Sequence, residues 1–119
     1  MRFLVVDDED ALLGMMVRII RRVYPKCKFE IAATILEAES RMEPGDITIS
    51  DNDLGKSKNA GLRFLQFRKS QGERVGLITG NDQAVKEAEV LGIPVLAKPF
   101  DIAQFREFLA RVVGDNTGE

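Results

Sequence analysis

Hydrophobic and polar positions along this chain divide it into short apolar runs and longer amphipathic segments. The apolar runs are three to five residues long, and most of them end in polar side chains. Short runs of this kind, bounded by turn residues, are typical of buried strands. The predicted strands are residues 3–6, 29–33, 47–50, 75–78 and 95–97.

The segments between these runs carry apolar residues at helical spacing, which predicts five helices. The first, third and fourth helices are predicted at residues 10–23, 61–71 and 82–91. Thr34 and Glu37 form a capping box that opens the second helix, and Pro44 and Gly45 end it. Asp101 caps the fifth helix. The apolar stripe of that helix is Ile102, Phe105, Phe108, Leu109 and Val112.

Strands and helices therefore alternate five times in about 115 residues, with no repeat and no linker, which is typical of an α/β fold. We predict one doubly wound, five-stranded parallel sheet with strand order 2-1-3-4-5, which is the flavodoxin-like arrangement. Right-handed crossovers place the five helices on both faces of the sheet. Residues 1–115 are expected to form one domain, and residues 116–119 a polar tail.

Composition and charge exclude several classes of function. The formal net charge of −2 over 119 residues gives no electrostatic basis for sequence-independent binding of nucleic acid. No apolar stretch approaches the ~20 residues that span a bilayer, and the N-terminus lacks the layout of a signal peptide. We therefore expect a cytoplasmic protein without membrane insertion. The absence of histidine, with Cys27 as the one cysteine, excludes the usual zinc sites and histidine-based nucleophilic triads.

Acidic, hydroxyl and ammonium side chains follow four of the predicted strands. They are Asp7, Asp8, Asp51, Asp53, Thr79 and Lys98. Each has an ordinary alternative, because aspartates cap helices, polar residues make turns, and a lysine before a proline can be a solvated loop residue. The predicted strand order brings the C-terminal ends of the first and third strands together in one crevice. The joint occurrence of these polar residues at the C-terminal edge of the sheet therefore favours a functional site.

These groups suit a divalent cation and a phosphoryl group. Mg²⁺ takes oxygen ligands, of which one or two are usually carboxylates. Asp8 and Asp51 supply carboxylates and Asp7 can hold a metal-bound water, while Mn²⁺ could substitute for Mg²⁺. An aspartate can also attack phosphorus to give an acyl phosphate. The charge on the phosphoryl oxygens then needs cations and donors, which Lys98, Thr79 and nearby backbone N–H groups provide.

On these motifs, the chain resembles the receiver domains of bacterial two-component response regulators, of the chemotaxis-receiver kind. The resemblance covers about residues 2–113 and rests on segments 3–9, 46–51, 77–80 and 98–100 and on Gly92. It implies a magnesium-dependent phosphoacceptor that receives its phosphoryl group from the phosphohistidine of a sensor histidine kinase or a histidine phosphotransfer protein. Such a domain signals to a downstream protein target by conformational change. It is no enzyme in the usual sense, because it catalyses only its own aspartyl phosphorylation and dephosphorylation.

The resemblance also implies a role for each of the polar residues at the sheet edge. These roles are Asp51 as phosphoacceptor, Asp7, Asp8, Asp51 and the backbone carbonyl of Asp53 as metal ligands, Thr79 as the switch hydroxyl, and Lys98 as the cation that pairs with the phosphate.

Three positions depart from the family pattern. The family often has an aromatic residue three positions before the lysine, where this chain has Val95. We therefore expect phosphorylation to change residues 80–91 more than the fifth strand. The loop at residues 54–61 is longer than usual, basic and without a proline. Asp53 places a full acid two positions after the phosphoacceptor, near the water that hydrolyses an acyl phosphate.

Two alternatives stay open at this point. The pattern of Asp51 and Asp53 after a strand, with a later threonine and lysine, also resembles the haloacid-dehalogenase phosphatases, in which the second aspartate is a general acid. Against this, the acidic pair Asp7 and Asp8 follows the first strand instead of a late one, and no segment is long enough for a cap domain. The other alternative is a receiver-like module that docks to partners without phosphorylation.

Overall fold

The computed structural model describes residues 1–54 and 58–114 of the chain. The predicted polar tail at 116–119 and the centre of the basic loop, 55–57, lie outside the described residues. The strands are β1 (Arg2–Val6), β2 (Lys28–Ala32), β3 (Ile47–Asp51), β4 (Arg74–Thr79) and β5 (Val95–Ala97). The helices are α1 (Asp10–Val23), α2 (Ile35–Arg41), α3 (Ala60–Ser70), α4 (Asp82–Val90) and α5 (Ile102–Val113).

The five strands form one parallel sheet in the order β2-β1-β3-β4-β5, so the predicted fold is confirmed. β1 lies between β2 and β3, with Val6 opposite Ser50 at the end of the β1–β3 pair. The residues that follow β1 therefore stand beside the end of β3. This register is what brings the first and third strands' polar ends to one place.

The core lies on both faces of the sheet, because side chains alternate along each strand. Phe3 and Val5 of β1 pack with α1 and α5 on one face, while Leu4 and Val6 pack with α2 and α3 on the other. Residues of β4 pack with α3 and α4 on that second face. These four β1 side chains are fully buried. Burying each of them stabilises the fold by roughly 1.5–3 kcal/mol.

Helix starts follow the predicted caps. Thr34 Oγ1 accepts from the N–H of Glu37 at 3.1 Å, although the Glu37 carboxylate reaches back to the N–H of Ala33 instead of to the cap residue itself. Asp101 and Gln104 form a complete capping box at the start of α5. α2 ends at Arg41, a few residues before the predicted stop.

One member of the predicted apolar stripe of α5 is not buried. Ile102 is 56% exposed, whereas the other four stripe residues are buried. Ile102 is the first residue of α5 and stands at the rim of a groove beside Met15 and Ile19 of α1. The helical spacing is therefore correct for the other four residues, but it does not bury the first residue of the helix. Among the described residues, no helix is long and apolar enough to cross a membrane.

Candidate functional site

Three carboxylates meet at the C-terminal edge of the sheet. Asp7 and Asp8 follow β1, and Asp51 is the last residue of β3. Each offers one carboxylate oxygen, and these oxygens all lie within 4.8 Å of one another. Asp7 and Asp51 are buried, whereas Asp8 is exposed. We refer to these three residues as the carboxylate cluster.

The two buried members of the carboxylate cluster, Asp7 and Asp51, have raised pKa values. Burial raises the pKa of Asp7 to about 6, opposed by a hydrogen bond from the backbone N–H of Glu9 at 2.8 Å and reinforced by the charge of Asp51. Burial also raises the pKa of Asp51, whereas Lys98 acts to lower it. Ionisation of these buried carboxylates therefore lowers the stability of the folded protein.

Lys98 is the cation of the site. Its Nζ lies 2.8 Å from Oδ1 of Asp51, and its side chain is one-third exposed. Burial acts to lower the pKa of Lys98, but the hydrogen bond to Asp51 and the charges of nearby carboxylates raise it above its ordinary value. The backbone N–H of Lys98 donates to the carbonyl of Thr79 at 2.8 Å, which holds it beside the end of β4. The lysine is therefore charged and anchored next to Asp51.

Thr79 ends β4 and is fully buried. Its Oγ1 accepts a hydrogen bond from the backbone N–H of Asn81 at 3.0 Å. Asn81 in turn is the N-cap of α4, because its side-chain oxygen accepts from the N–H of Ala84 at 3.0 Å. The threonine hydroxyl and the start of α4 are therefore joined by two consecutive hydrogen bonds.

Asp53 differs from the other predicted site residues. Its side chain is exposed and stands outside the carboxylate cluster, although its charge is close enough to raise the pKa of Asp51. The assignment of its backbone carbonyl as a metal ligand stays a prediction. Of the six residues singled out from the sequence, Asp7, Asp8, Asp51 and Lys98 are brought together, and Thr79 ends the strand next to β3.

The carboxylate cluster fits a hard divalent cation. Asp7 Oδ1 is engaged by Glu9, but Asp7 Oδ2 is buried and has no hydrogen-bond partner among the described protein groups. A buried carboxylate oxygen without a donor is costly, and an oxygen-seeking cation removes that cost. Three carboxylates within 4.8 Å supply the ligand type that Mg²⁺ and Mn²⁺ prefer.

Two residues that support the site are not evident as such from the sequence. Asn52 follows Asp51 in what the sequence indicates only as a turn, yet it is fully buried. Gly61, in the first turn of α3, packs against the backbone of Asp51 and Asn52. The sequence gives no signal for the burial of Asn52 or for the packing of Gly61 on Asp51. Gly61 lies ten positions after Asp51, and the sequence does not predict the shape of the loop between them.

Replacing Gly61 with alanine is expected to destabilise the protein by about 1–3 kcal/mol, because overpacking forces the backbone to shift. A Cβ at this position would overlap the carbonyl oxygen of Asp51 and come within 2.8 Å of Asn52 Cα. The matched control is Gly14→Ala in α1, where a Cβ would meet nothing within 4 Å. That variant should gain about 1 kcal/mol from helix propensity. Urea unfolding midpoints measure both, and a Gly61→Ala protein as stable as wild type would disprove the close contact.

Comparisons with known proteins place the fold. No protein-family model and no curated protein matches the chain. Among solved structures, an uncharacterized protein from Neptuniibacter caesariensis is 25% identical, with a TM-score of 0.78 over 95% of this chain and 87% of that chain. The chemotaxis response regulator CheY4 of Vibrio cholerae is 24% identical, with a TM-score of 0.73 over 93% of this chain and 97% of that chain.

A response regulator receiver domain protein from Methanospirillum hungatei JF-1 is 21% identical, with a TM-score of 0.73 over 99% of this chain and 98% of that chain. The chain therefore has the fold of response regulator receiver domains, as the sequence resemblance predicted.

Proposed function

We propose that this chain, which has the receiver fold, is the phosphoacceptor of a two-component phosphorelay. It takes a phosphoryl group from the phosphohistidine of a sensor histidine kinase or a histidine phosphotransfer protein onto Asp51. The observation that carries this proposal is the setting of Asp51, a buried carboxylate that belongs to the carboxylate cluster and lies 2.8 Å from the Lys98 ammonium. We place the protein in the cytoplasm, signalling to a protein target without direct contact to nucleic acid or membrane.

The proposed reaction uses the groups around Asp51. A carboxylate oxygen of Asp51 forms a bond to phosphorus while the bond from phosphorus to the donor nitrogen breaks. The donor imidazole leaves with the electron pair and takes up a proton. The Lys98 ammonium stabilises the negative charge that develops on the phosphoryl oxygens. Since Thr79 Oγ1 already accepts from Asn81, its O–H proton is what it offers to a phosphoryl oxygen.

Asp7, Asp8 and Asp51 would hold Mg²⁺, or Mn²⁺ in its place, with the backbone carbonyl of Asp53 as a further proposed ligand. When bound, the metal supplies positive charge that offsets the repulsion within the carboxylate cluster and the charge of the phosphoryl oxygens. Asp7 brings its unpartnered Oδ2 to this site, while the N–H of Glu9 keeps Oδ1 oriented.

Counting turnovers separates this proposal from a phosphatase of the haloacid-dehalogenase kind. With Mg²⁺ and radiolabelled acetyl phosphate, a receiver retains about one phosphoryl group per chain, because the product is an acyl phosphate on the protein itself. A phosphatase instead releases phosphate from a chromogenic ester many times per chain. If the protein neither retains label nor releases phosphate, the result would favour a module that docks to partners without phosphorylation.

Phosphorylation is expected to change α4 and the loop before it more than β5. Thr79 is joined to the cap of α4 through Asn81, so a movement of its hydroxyl acts directly on that helix start. Val95 is β-branched, stiff at χ1 and too small to sweep across the neighbouring surface as an aromatic side chain does. Hydrogen exchange with and without beryllofluoride, which mimics a phosphoryl group, measures the change. Effects confined to residues 95–98, with residues 80–91 unaffected, would contradict this expectation.

A further inference from the structure

Asn52 is fully buried, and both its backbone and its side chain make hydrogen bonds to neighbouring elements. Its backbone N–H donates to the carbonyl of Ile78 at 2.9 Å, and its carbonyl accepts from the N–H of Gly61 at 3.2 Å. Its side-chain Oδ1 accepts from the N–H of Leu62 at 3.1 Å, and its Nδ2 donates to Oδ1 of Asn59 at 3.0 Å. One residue thus ties β3 to both β4 and the start of α3.

The start of α3 depends on this side chain. Asn59, the N-cap residue, has a left-handed backbone with φ of 58° and makes no side-chain cap hydrogen bond of its own. Leu62 is the third residue of α3, so its N–H is one of those that no helical carbonyl can satisfy. Asn52, ten positions earlier, supplies the missing acceptor. The helix is therefore capped from the end of β3.

This cap fixes the backbone of the candidate site. Asn52 is covalently joined to Asp51 on one side and to Asp53 on the other. Both of its peptide groups are anchored, and the Cα of Gly61 packs against the carbonyl of Asp51. A leucine of similar size would fill the space but would leave the N–H of Leu62 and the amide of Asn59 without their partners. The buried amide is therefore needed for its hydrogen bonds as well as for its volume.

We propose that Asn52 is a positioning residue for phosphorylation, which acts by fixing the Asp51 carboxylate and the Asp53 carbonyl against α3. This inference rests on the proposed function. Because supporting residues around a metal site typically contribute about 10-fold to 100-fold to metal affinity or activity, Asn52→Leu should weaken Mg²⁺ binding and slow labelling of Asp51 by that factor. Asn59→Gly should show a smaller loss in the same direction, since it removes one of the two side-chain hydrogen bonds.

The experiment compares three variants that are first shown to be folded by circular dichroism. Mg²⁺ affinity is measured by calorimetry, and the labelling rate is measured with acetyl phosphate. Asn59→Gly suits the comparison because glycine adopts the left-handed conformation without strain. Ala110→Gly, in the last turn of α5, is the control for lost stability, because glycine weakens a helix without touching the site. It should unfold more easily yet bind Mg²⁺ and accept label as wild type does.

Wild-type affinity and rate in a folded Asn52→Leu protein would overturn the inference. So would an equal loss in Ala110→Gly, since the effect would then follow from stability alone. Should Asn52→Leu not fold, Asn59→Gly decides, and unchanged Mg²⁺ affinity and labelling in that variant would overturn the inference. A wild-type protein that neither binds Mg²⁺ nor accepts label would instead contradict the proposed function, which distinguishes the two failures.

Discussion

Replacing Asp51 with asparagine is expected to abolish the uptake of phosphoryl groups from acetyl phosphate, from about one group per chain to none. Asparagine keeps the shape of the side chain but loses the charged oxygen that attacks phosphorus. It also loses the ion pair with Lys98, whose Nζ lies 2.8 Å from Asp51 Oδ1. Intact-mass spectrometry after incubation with Mg²⁺ and acetyl phosphate measures the uptake directly.

The matched control for Asp51→Asn is Asp82→Asn. Asp82 is an exposed carboxylate in the first turn of α4 and stands outside the carboxylate cluster. This variant should take up label to the wild-type extent. Undiminished labelling of a folded Asp51→Asn protein would exclude Asp51 as the phosphoacceptor.

Replacing Asp7 with asparagine is expected to stabilise the metal-free protein at pH 7 and above by up to about 3 kcal/mol, which is the free energy that corresponds to its raised pKa. The folded-state pKa of Asp7, about 6, lies above its ordinary value of 3.8 because the carboxylate is buried. Its contribution to stability is therefore complete below about pH 4 and is lost as the pH rises through about 6. The asparagine side chain cannot ionise, so the variant should lack this loss.

Urea unfolding between pH 4 and 8 without divalent cations measures this effect of Asp7. The pKa of Asp51 is also raised, so the variant should keep a weaker decline of stability with rising pH. Asp10→Asn, which removes an exposed carboxylate from the first turn of α1, is the control for the loss of one negative charge. Equal slopes for Asp7→Asn and wild type would refute the account of the buried carboxylate.

Mg²⁺ should offset the destabilising effect of the buried carboxylates in the wild-type protein. A ligand that binds only the folded state at 100 times its Kd adds about 2.7 kcal/mol, which raises the Tm of a domain of this size by roughly 10 °C. In Asp7→Asn this rise should shrink, because one ligand group of the carboxylate cluster is lost. A Tm that Mg²⁺ leaves unchanged in wild type would contradict a metal site at the cluster.

The strand order and the meeting of Asp7, Asp8 and Asp51 could be predicted because they follow from general rules. Short apolar runs alternating with helical segments allow few topologies, and right-handed crossovers reduce them further. Once β1 and β3 are neighbours, residues at their C-terminal ends must lie close together. The position of Lys98 followed in the same way from the end of β5.

The contacts of Asn52 and the exposure of Ile102 could not be predicted, for two physical reasons. Asn59, the residue before α3, has a left-handed backbone and makes no side-chain cap hydrogen bond, and the N–H of Leu62 is capped by the side chain of Asn52 instead. Periodicity shows which face of a helix is apolar, but not how far the neighbouring elements extend along it. Both details depend on where a loop or a helix end lies in space.

The most direct test of this account is to locate the phosphoryl group in the wild-type protein. After incubation with Mg²⁺ and acetyl phosphate, the acyl phosphate is reduced with borohydride, which converts the modified aspartate to homoserine, and the digested chain is read by tandem mass spectrometry. We expect one modified residue, Asp51, and no modification when Mg²⁺ is chelated. Modification at Asp7, Asp8 or Asp53, or at no aspartate, would contradict it.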